Sequence, residues 1–280
     1  MTSDLSSKLR AWLANEGYPF ELRVGRTLHD ADWDVFHGQH YLDPETGKLR
    51  EVDVHAAFGP YLGDTKGMGM VSVHLVCECK VSQGKPWIVF TSRQGDDELG
   101  LVSRLTPGEP ASHALSHAVL TNRGKLSTLV MGSRIGHGVT RAFVESRSAD
   151  PTGPFAAVLG AMTAASALSN RHYSSLLQGT GKSVWLSIYL PVVVLLGQLF
   201  EFYLDEAGNE VLAECSRAHV LAYPPGLDPN PILVQLVSAQ VLPTFAASAH
   251  AEARFVAQAI LPEARRIWEA FWERSRAGEA

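Results

Sequence analysis

The chain has 280 residues, 46% of them hydrophobic and 19% charged, against a usual charged share of about 25%. That composition excludes a disordered chain and suffices for one large domain or two small ones. With 24 basic and 29 acidic side chains and a formal net charge of -5, the whole-molecule field mildly repels nucleic acid, so phosphate binding must come from a local basic patch.

The N-terminal stretch MTSDLSSKLRAWL has an early acidic residue and lacks the pattern of a secretory signal. Leu5, Leu9, Trp12 and Leu13 recur at helical spacing, and Gly17 offers a stop. A second helix is predicted from Pro19, a residue suited to a first turn, with Phe20, Val24 and Leu28 as its apolar stripe and Glu21 beside it. Residues 32–42 (DWDVFHGQHYL) read as a strand, 43–47 as a turn, and 49–58 (LREVDVHAAF) as a second strand. The glycine-rich stretch 59–69 reads as a loop, 70–81 (MVSVHLVCECKV) as a third strand and 86–91 (PWIVFT) as a fourth. Beyond these, 95–98 and 106–110 read as loops and 111–126 as helical. Residues 155–177 form a small-residue helix suited to close packing. Residues 183–196 and 199–204 read as strands, with 205–209 as a hairpin turn before 210–213. Residues 223–231 (YPPGLDPNP) are the best linker, and 244–276 is a long helical tract with Pro262 as its candidate break.

Several signals point to bland roles. Cys77, Cys79 and Cys215 make no disulfide framework, and Cys77 and Cys79 read as buried strand residues, since a second pair at zinc spacing is missing. The apolar run 184–204 is interrupted by Pro191, Gly197, Gln198 and Glu201, so a cytoplasmic soluble protein with no membrane partner is expected. The stretch 179–183 (GTGKS) lacks the glycine of a phosphate loop, Leu176 standing there, and a strand-like run follows it. Residues 133–138 (SRIGHG) read as a basic loop, and His37, His40 and His74 as surface or core histidines. Phe255, Ile260, Ile267, Trp268, Phe271 and Trp272 make the C-terminal helix amphipathic, to pack on its own domain or to serve a homodimer or partner protein.

The chemistry-bearing pattern lies in the strands. Side chains alternate faces with period two, so Glu78 and Lys80 share one face while Cys77, Cys79 and Val81 share the other. On the preceding strand Glu51, Asp53 and His55 share a face, with Val52 and Val54 turned away. If the strands pair, Asp53 sits beside Glu78. Two carboxylates about 4–5 Å apart repel each other unless a cation intervenes. A hard divalent ion resolves that conflict and can activate a water for attack on phosphorus. Lys80 is then placed to orient or deprotonate that water, or to bind the developing anion.

The stretches YPFELRVGRTL, GKLREVDVHA and LVCECKV, in that order, resemble the PD-(D/E)XK nuclease superfamily with its restriction-endonuclease-like helix–strand–strand–strand–helix–strand core. The match covers roughly residues 18–91, about a quarter of the chain, and Val52 stands where the nominal motif has proline. The resemblance implies Asp53 and Glu78 as Mg2+ ligands with the backbone carbonyl of Cys79, Lys80 as the residue acting on water, and Glu21 as an auxiliary acid. It implies an endonuclease that cleaves DNA more often than RNA, in defence or repair, with Mn2+ able to replace Mg2+.

The expected fold is therefore α/β, with a mixed central sheet flanked by helices and C-terminal strand and helix additions. Residues 1–95 form the nuclease core, and residues 96–280 supply a helical insertion, strands and helices packed on it. Arg23, Arg26, His55, Gln83 and Lys85 are the candidate nucleic-acid contacts, with Arg50 and Arg93 adding to the local positive patch. Two other roles fit the same residues: a structural ion-pair cluster, and a catalytically inactive nuclease fold that binds nucleic acid or a partner.

Overall fold

The computed structural model describes residues 2–13, 17–61, 69–93, 128–129, 134–143, 153–177, 184–223 and 231–276. In chain order the elements are α1 (Thr2–Leu13), α2 (Tyr18–Asp30), β1 (Asp34–Phe36), β2 (Gln39–Leu42), β3 (Leu49–Val52), β4 (Val54–Tyr61) and β5 (Gly69–Arg93). Then follow β6 (Arg134–Arg141), α3 (Pro154–Leu177), β7 (Val184–Leu204), β8 (Glu210–Cys215), β9 (Arg217–Ala222), β10 (Ile232–Ser238), a 3-10 turn (Ala239–Val241) and α4 (Leu242–Arg276).

The fold is α/β, with a large mixed sheet flanked by helices. Eight strands join in the order β1-β4-β5-β6-β9-β10-β7-β8, and β5 also pairs with β7. That last pairing closes β5, β6, β9, β10 and β7 into a circuit. At its centre β5 and β7 run parallel from Gly69↔Val184 to Phe90↔Phe202. β4 lies antiparallel to β5, while β2 and β3 form a separate hairpin.

Both faces of the sheet are covered, so its central strands are continuously apolar rather than alternating. On one face Val71, Val73, Leu75, Cys77 and Cys79 of β5 pack with α2 and α4. The predicted α2 stripe of Phe20, Val24 and Leu28 is buried there, each side chain contributing about 1.5–3 kcal/mol. The Trp33 indole N–H donates to the Ala246 carbonyl of α4 at 3.0 Å, tying the end of α2 to that helix. On the opposite face Ala157, Ala161, Met162, Ala165 and Leu168 of α3 pack on Val76, Tyr189, Val193 and Leu195. The small residues of α3 let it lie close to the sheet, as its composition predicts.

Several expectations need correction. Residues 32–42 are two strands, because Gly38 at φ +68 turns the chain between them. Residues 49–58 are likewise broken, at Asp53, where β3 leaves the sheet and β4 begins. Val52 therefore belongs to the core under α3 and Val54 to the core under α2 and α4, instead of sharing a face. Residues 70–81 and 86–91 are one strand, the turn-like SQGKP being absorbed as an irregularity between Ser82 and Trp87 with Gly84 at φ +71. Residues 184–204 are also continuous. Arg134 to Gly138 lie on β6 rather than in a loop. Tyr223 and Pro231 flank the connection between antiparallel neighbours β9 and β10, which is no interdomain linker. Pro262 does not break α4.

The sequence segments 95–98, 106–110, 111–126 and 179–183 lie outside the described residues. So do most of 59–69 and of 223–231. On α1, Leu5, Leu9, Trp12 and Leu13 are exposed. The α4 stripe is buried from Leu242 to Leu261, whereas the side chains of Ile267, Trp268, Phe271 and Trp272 lie outside the description. Among the described residues no helix is long and apolar enough to cross a membrane.

Candidate active site

The site forms where β4 separates from β3. Pairing of β4 with β5 ends at Val54↔Cys77. The next free N–H on that edge of β5 is that of Cys79, and it donates to Asp53 Oδ2 at 2.7 Å. A residue's N–H and carbonyl leave a strand on the same edge, so the Cys79 carbonyl also faces Asp53. The bend at Asp53 thus replaces a ladder bond with a carboxylate.

On the α3 face of β5, Lys80 Nζ lies 2.5 Å from Glu78 Oε1, the two side chains remaining 28% and 20% exposed. That exposure keeps the pair open to a ligand. Gly160 of α3 sits over Glu78: a Cβ there would lie 3.5 Å from Glu78 Oε2. Burial first, and then the Glu78 charge, push the Asp53 carboxyl up to about 7, against the opposing pull of the Cys79 N–H and Lys80. Burial works to lower Lys80, but the charge and hydrogen bond of Glu78, with Asp53, outweigh it and hold the ammonium above its ordinary value.

Glu21 joins this group from α2. Its carboxyl is raised by burial and then by Glu51 and Glu78, with Lys80 and His37 opposing. Of the four acids and bases selected from the sequence, Asp53, Glu78 and Lys80 are brought together by the Cys79 bond and the ion pair, and Glu21 is near enough for the charges of Glu78 and Lys80 to act on it. Tyr41, Glu51 and His37 were not selected. Burial, Glu78, Asp43 and Asp53 drive the Tyr41 phenol up to about 12 despite Arg50. The ring of His37 lies against Gly25, filling the space a Cβ would need.

The candidate nucleic-acid contacts fare less well. His55 is buried, not open to a phosphate: its ring lies between Phe36 and His74 at centroid distances of 5.5 and 5.1 Å. Its Nε2 lies 2.9 Å from His74 Nδ1, and the chain continues through Ser72 to Ser187. Burial pushes its pKa down to about 4, leaving it neutral. Arg26 pairs with Asp30 on the surface of α2, and Arg93 with Glu206. Arg23 lies over the Phe20 ring. Gln83 and Lys85 are exposed at the irregularity of β5, where the Ser82 hydroxyl donates to the Lys85 carbonyl.

Cys77 and Cys79 are free and buried, and burial raises both thiols. Among the described residues no three His, Cys, Asp or Glu side chains converge as a metal cluster. Compared with family models, curated proteins and solved structures, the chain matches none.

Proposed function

We propose that this chain is a metal-dependent endonuclease that hydrolyses phosphodiester bonds of nucleic acid, DNA in the first instance. The observation that carries the reading is the Asp53 carboxylate bonded to the N–H between Glu78 and Lys80, where burial and then the Glu78 charge raise its pKa. Such a frustrated acid pair is what a divalent cation relieves.

The donor set fits Mg2+, with Mn2+ as a substitute. Asp53, Glu78 and the Cys79 carbonyl offer hard oxygen ligands, and Mg2+ takes only one or two carboxylates, completing its shell with waters and phosphate oxygens. When bound, the ion would polarise the phosphoryl group and lower the pKa of a water.

The protein's own groups have distinct tasks. Lys80, held protonated by Glu78, places a positive charge where the phosphoryl oxygens gain negative charge. Its raised pKa argues against its acting as the base in this state. Glu21, whose carboxyl is raised by burial and then by Glu51 and Glu78, is the better-suited proton acceptor. Glu21, Glu51, Asp53 and Glu78 together repel a polyanion, which a purely nucleic-acid-binding protein would not need. This acidity favours the catalytic reading over the inactive one.

With the β2–β3 hairpin and β6 set aside, the order α2-β1-β4-β5-α3-β7, with β7 parallel to β5, supports the resemblance to the PD-(D/E)XK core. In this reading the β2–β3 hairpin is an insertion ahead of the strand that begins after Asp53. The test is incubation of purified protein with plasmid and linear DNA in Mg2+ or Mn2+. Nicking or shortening is expected in wild type and loss of at least about 100-fold in Lys80→Ala; equal cleavage by the variant overturns the assigned mechanism.

A further inference from the structure

We infer that Arg50, carried by the β2–β3 hairpin and braced by Asp43, is the phosphate-contacting cation of this site, an inference that rests on the nuclease reading above.

Cross-strand pairing sets Tyr41 opposite Arg50 and Gln39 opposite Val52, and in an antiparallel pair opposed residues share a face. Tyr41 and Val52 are buried in the core under α3, on the same side of the sheet as Glu78. The hairpin face bearing Arg50 therefore lies on the Glu78 side of the sheet. The other face, with His40, Leu42, Leu49 and Glu51, is exposed.

Arg50 is held from one edge. Its Nε donates to Asp43 Oδ2 at 2.6 Å. Asp43 is buried, and its other oxygen accepts the N–H groups of Glu45 and Thr46 at 3.0 and 3.4 Å. A carboxylate locked into a turn thus fixes the guanidinium's inner edge. The two terminal amino groups of Arg50 have no hydrogen-bond partner among the described residues, and its side chain is 52% exposed. They form a planar fork suited to a phosphate. The charges of Arg50, Glu78 and Asp53 all act on the Tyr41 hydroxyl, the first lowering and the other two raising its pKa.

Three of the other cations are engaged elsewhere. Lys80 is paired with Glu78, Arg26 with Asp30 and Arg93 with Glu206. A nucleic-acid strand approaching these carboxylates needs a cation at the rim, and Arg50, held by Asp43 through Nε alone, keeps its terminal amino groups for that contact.

The test is fluorescence anisotropy of a labelled duplex oligonucleotide in Ca2+, over a series of KCl concentrations, beside cleavage assays in Mg2+. Arg50→Ala is expected to weaken binding by roughly ten-fold or more and to reduce the salt slope by about one. Arg50→Lys, which keeps the charge but not the fork, should keep the slope and weaken binding less; it also serves if Arg50→Ala does not fold. A wild type that cleaves DNA, with both variants binding it as tightly and with the same salt slope, overturns the inference and leaves the nuclease reading standing. A wild type that binds DNA through Arg50 but does not cleave it keeps the inference and removes the hydrolase. No binding by wild type overturns both.

Discussion

The carboxylate of Asp53 accepts the main-chain N–H of Cys79 at 2.7 Å, between the two residues whose side chains form the Glu78–Lys80 ion pair. This bond joins a bend in one segment to a charged pair on its neighbour. It gives Asp53 its position while its ionisation is opposed by burial and by Glu78.

That opposition makes metal-free stability depend on pH. The folded Asp53 carboxyl is pushed up to about 7 from its ordinary 3.8, so between those values the folded state binds a proton that the unfolded chain has released. Stability therefore falls as pH rises through this window and levels off above it. Glu21, also raised, adds to the fall with the same sign. In EDTA, Asp53→Asn should gain about 1–3 kcal/mol over wild type at pH 8, after discounting for the site's partial exposure. That corresponds to roughly 2–10 °C in Tm, and the gain should vanish near pH 4. Tm curves that run parallel across this range would show that Asp53 is not frustrated.

Gly160 of α3 sets the space above Glu78. A Cβ there meets Glu78 Oε2 at 3.5 Å, an ordinary contact. Gly160→Ala should keep cleavage within a few-fold and stabilise the helix by about 0.5–1 kcal/mol. Gly160→Leu should push into the Glu78–Lys80 pair and lower cleavage by about 100-fold, the scale of an ångström's misplacement. Cleavage rates and urea midpoints of the two variants check this.

Much of this site was legible because charge inside an apolar run is conspicuous: Glu78 and Lys80 stand out in VCECKV, and Glu21 flanks a clear helical stripe. The bend at Asp53 was not legible. Period-two alternation assumes an unbroken strand, so Val52 and Val54 were assigned one face when they occupy opposite cores. The continuity of β5 is hidden because Gln83, Gly84, Lys85 and Pro86 have turn chemistry, whereas parallel pairing to β7 resumes after the irregularity. β9 and β10 were missed because strands with both faces covered show little alternation; ILVQLVS is nearly all buried. Tyr41 and Glu51 reach the site through the tertiary placement of a hairpin, which no local pattern encodes.

Closure of the strand circuit depends on Gly136, which pairs with Val220 where β6 meets β9. A Cβ at Gly136 would lie 2.9 Å from the His219 carbonyl oxygen and crowd Val89 and Val220. Backbone cannot yield as a side chain can, so Gly136→Ala should destabilise by about 1–3 kcal/mol, read as a lower urea midpoint at unchanged m-value. An unchanged midpoint would mean that this junction is looser than its geometry indicates.

Calorimetric titration of Mn2+ into the metal-free protein tests most directly whether Asp53 and Glu78 share one divalent ion. Wild type should bind one ion at the site, Asp53→Asn and Glu78→Gln should each lose about ten-fold or more in affinity, and Lys80→Ala should retain binding. Equal affinity in wild type and both acid variants, or no binding by folded wild type, would contradict the account.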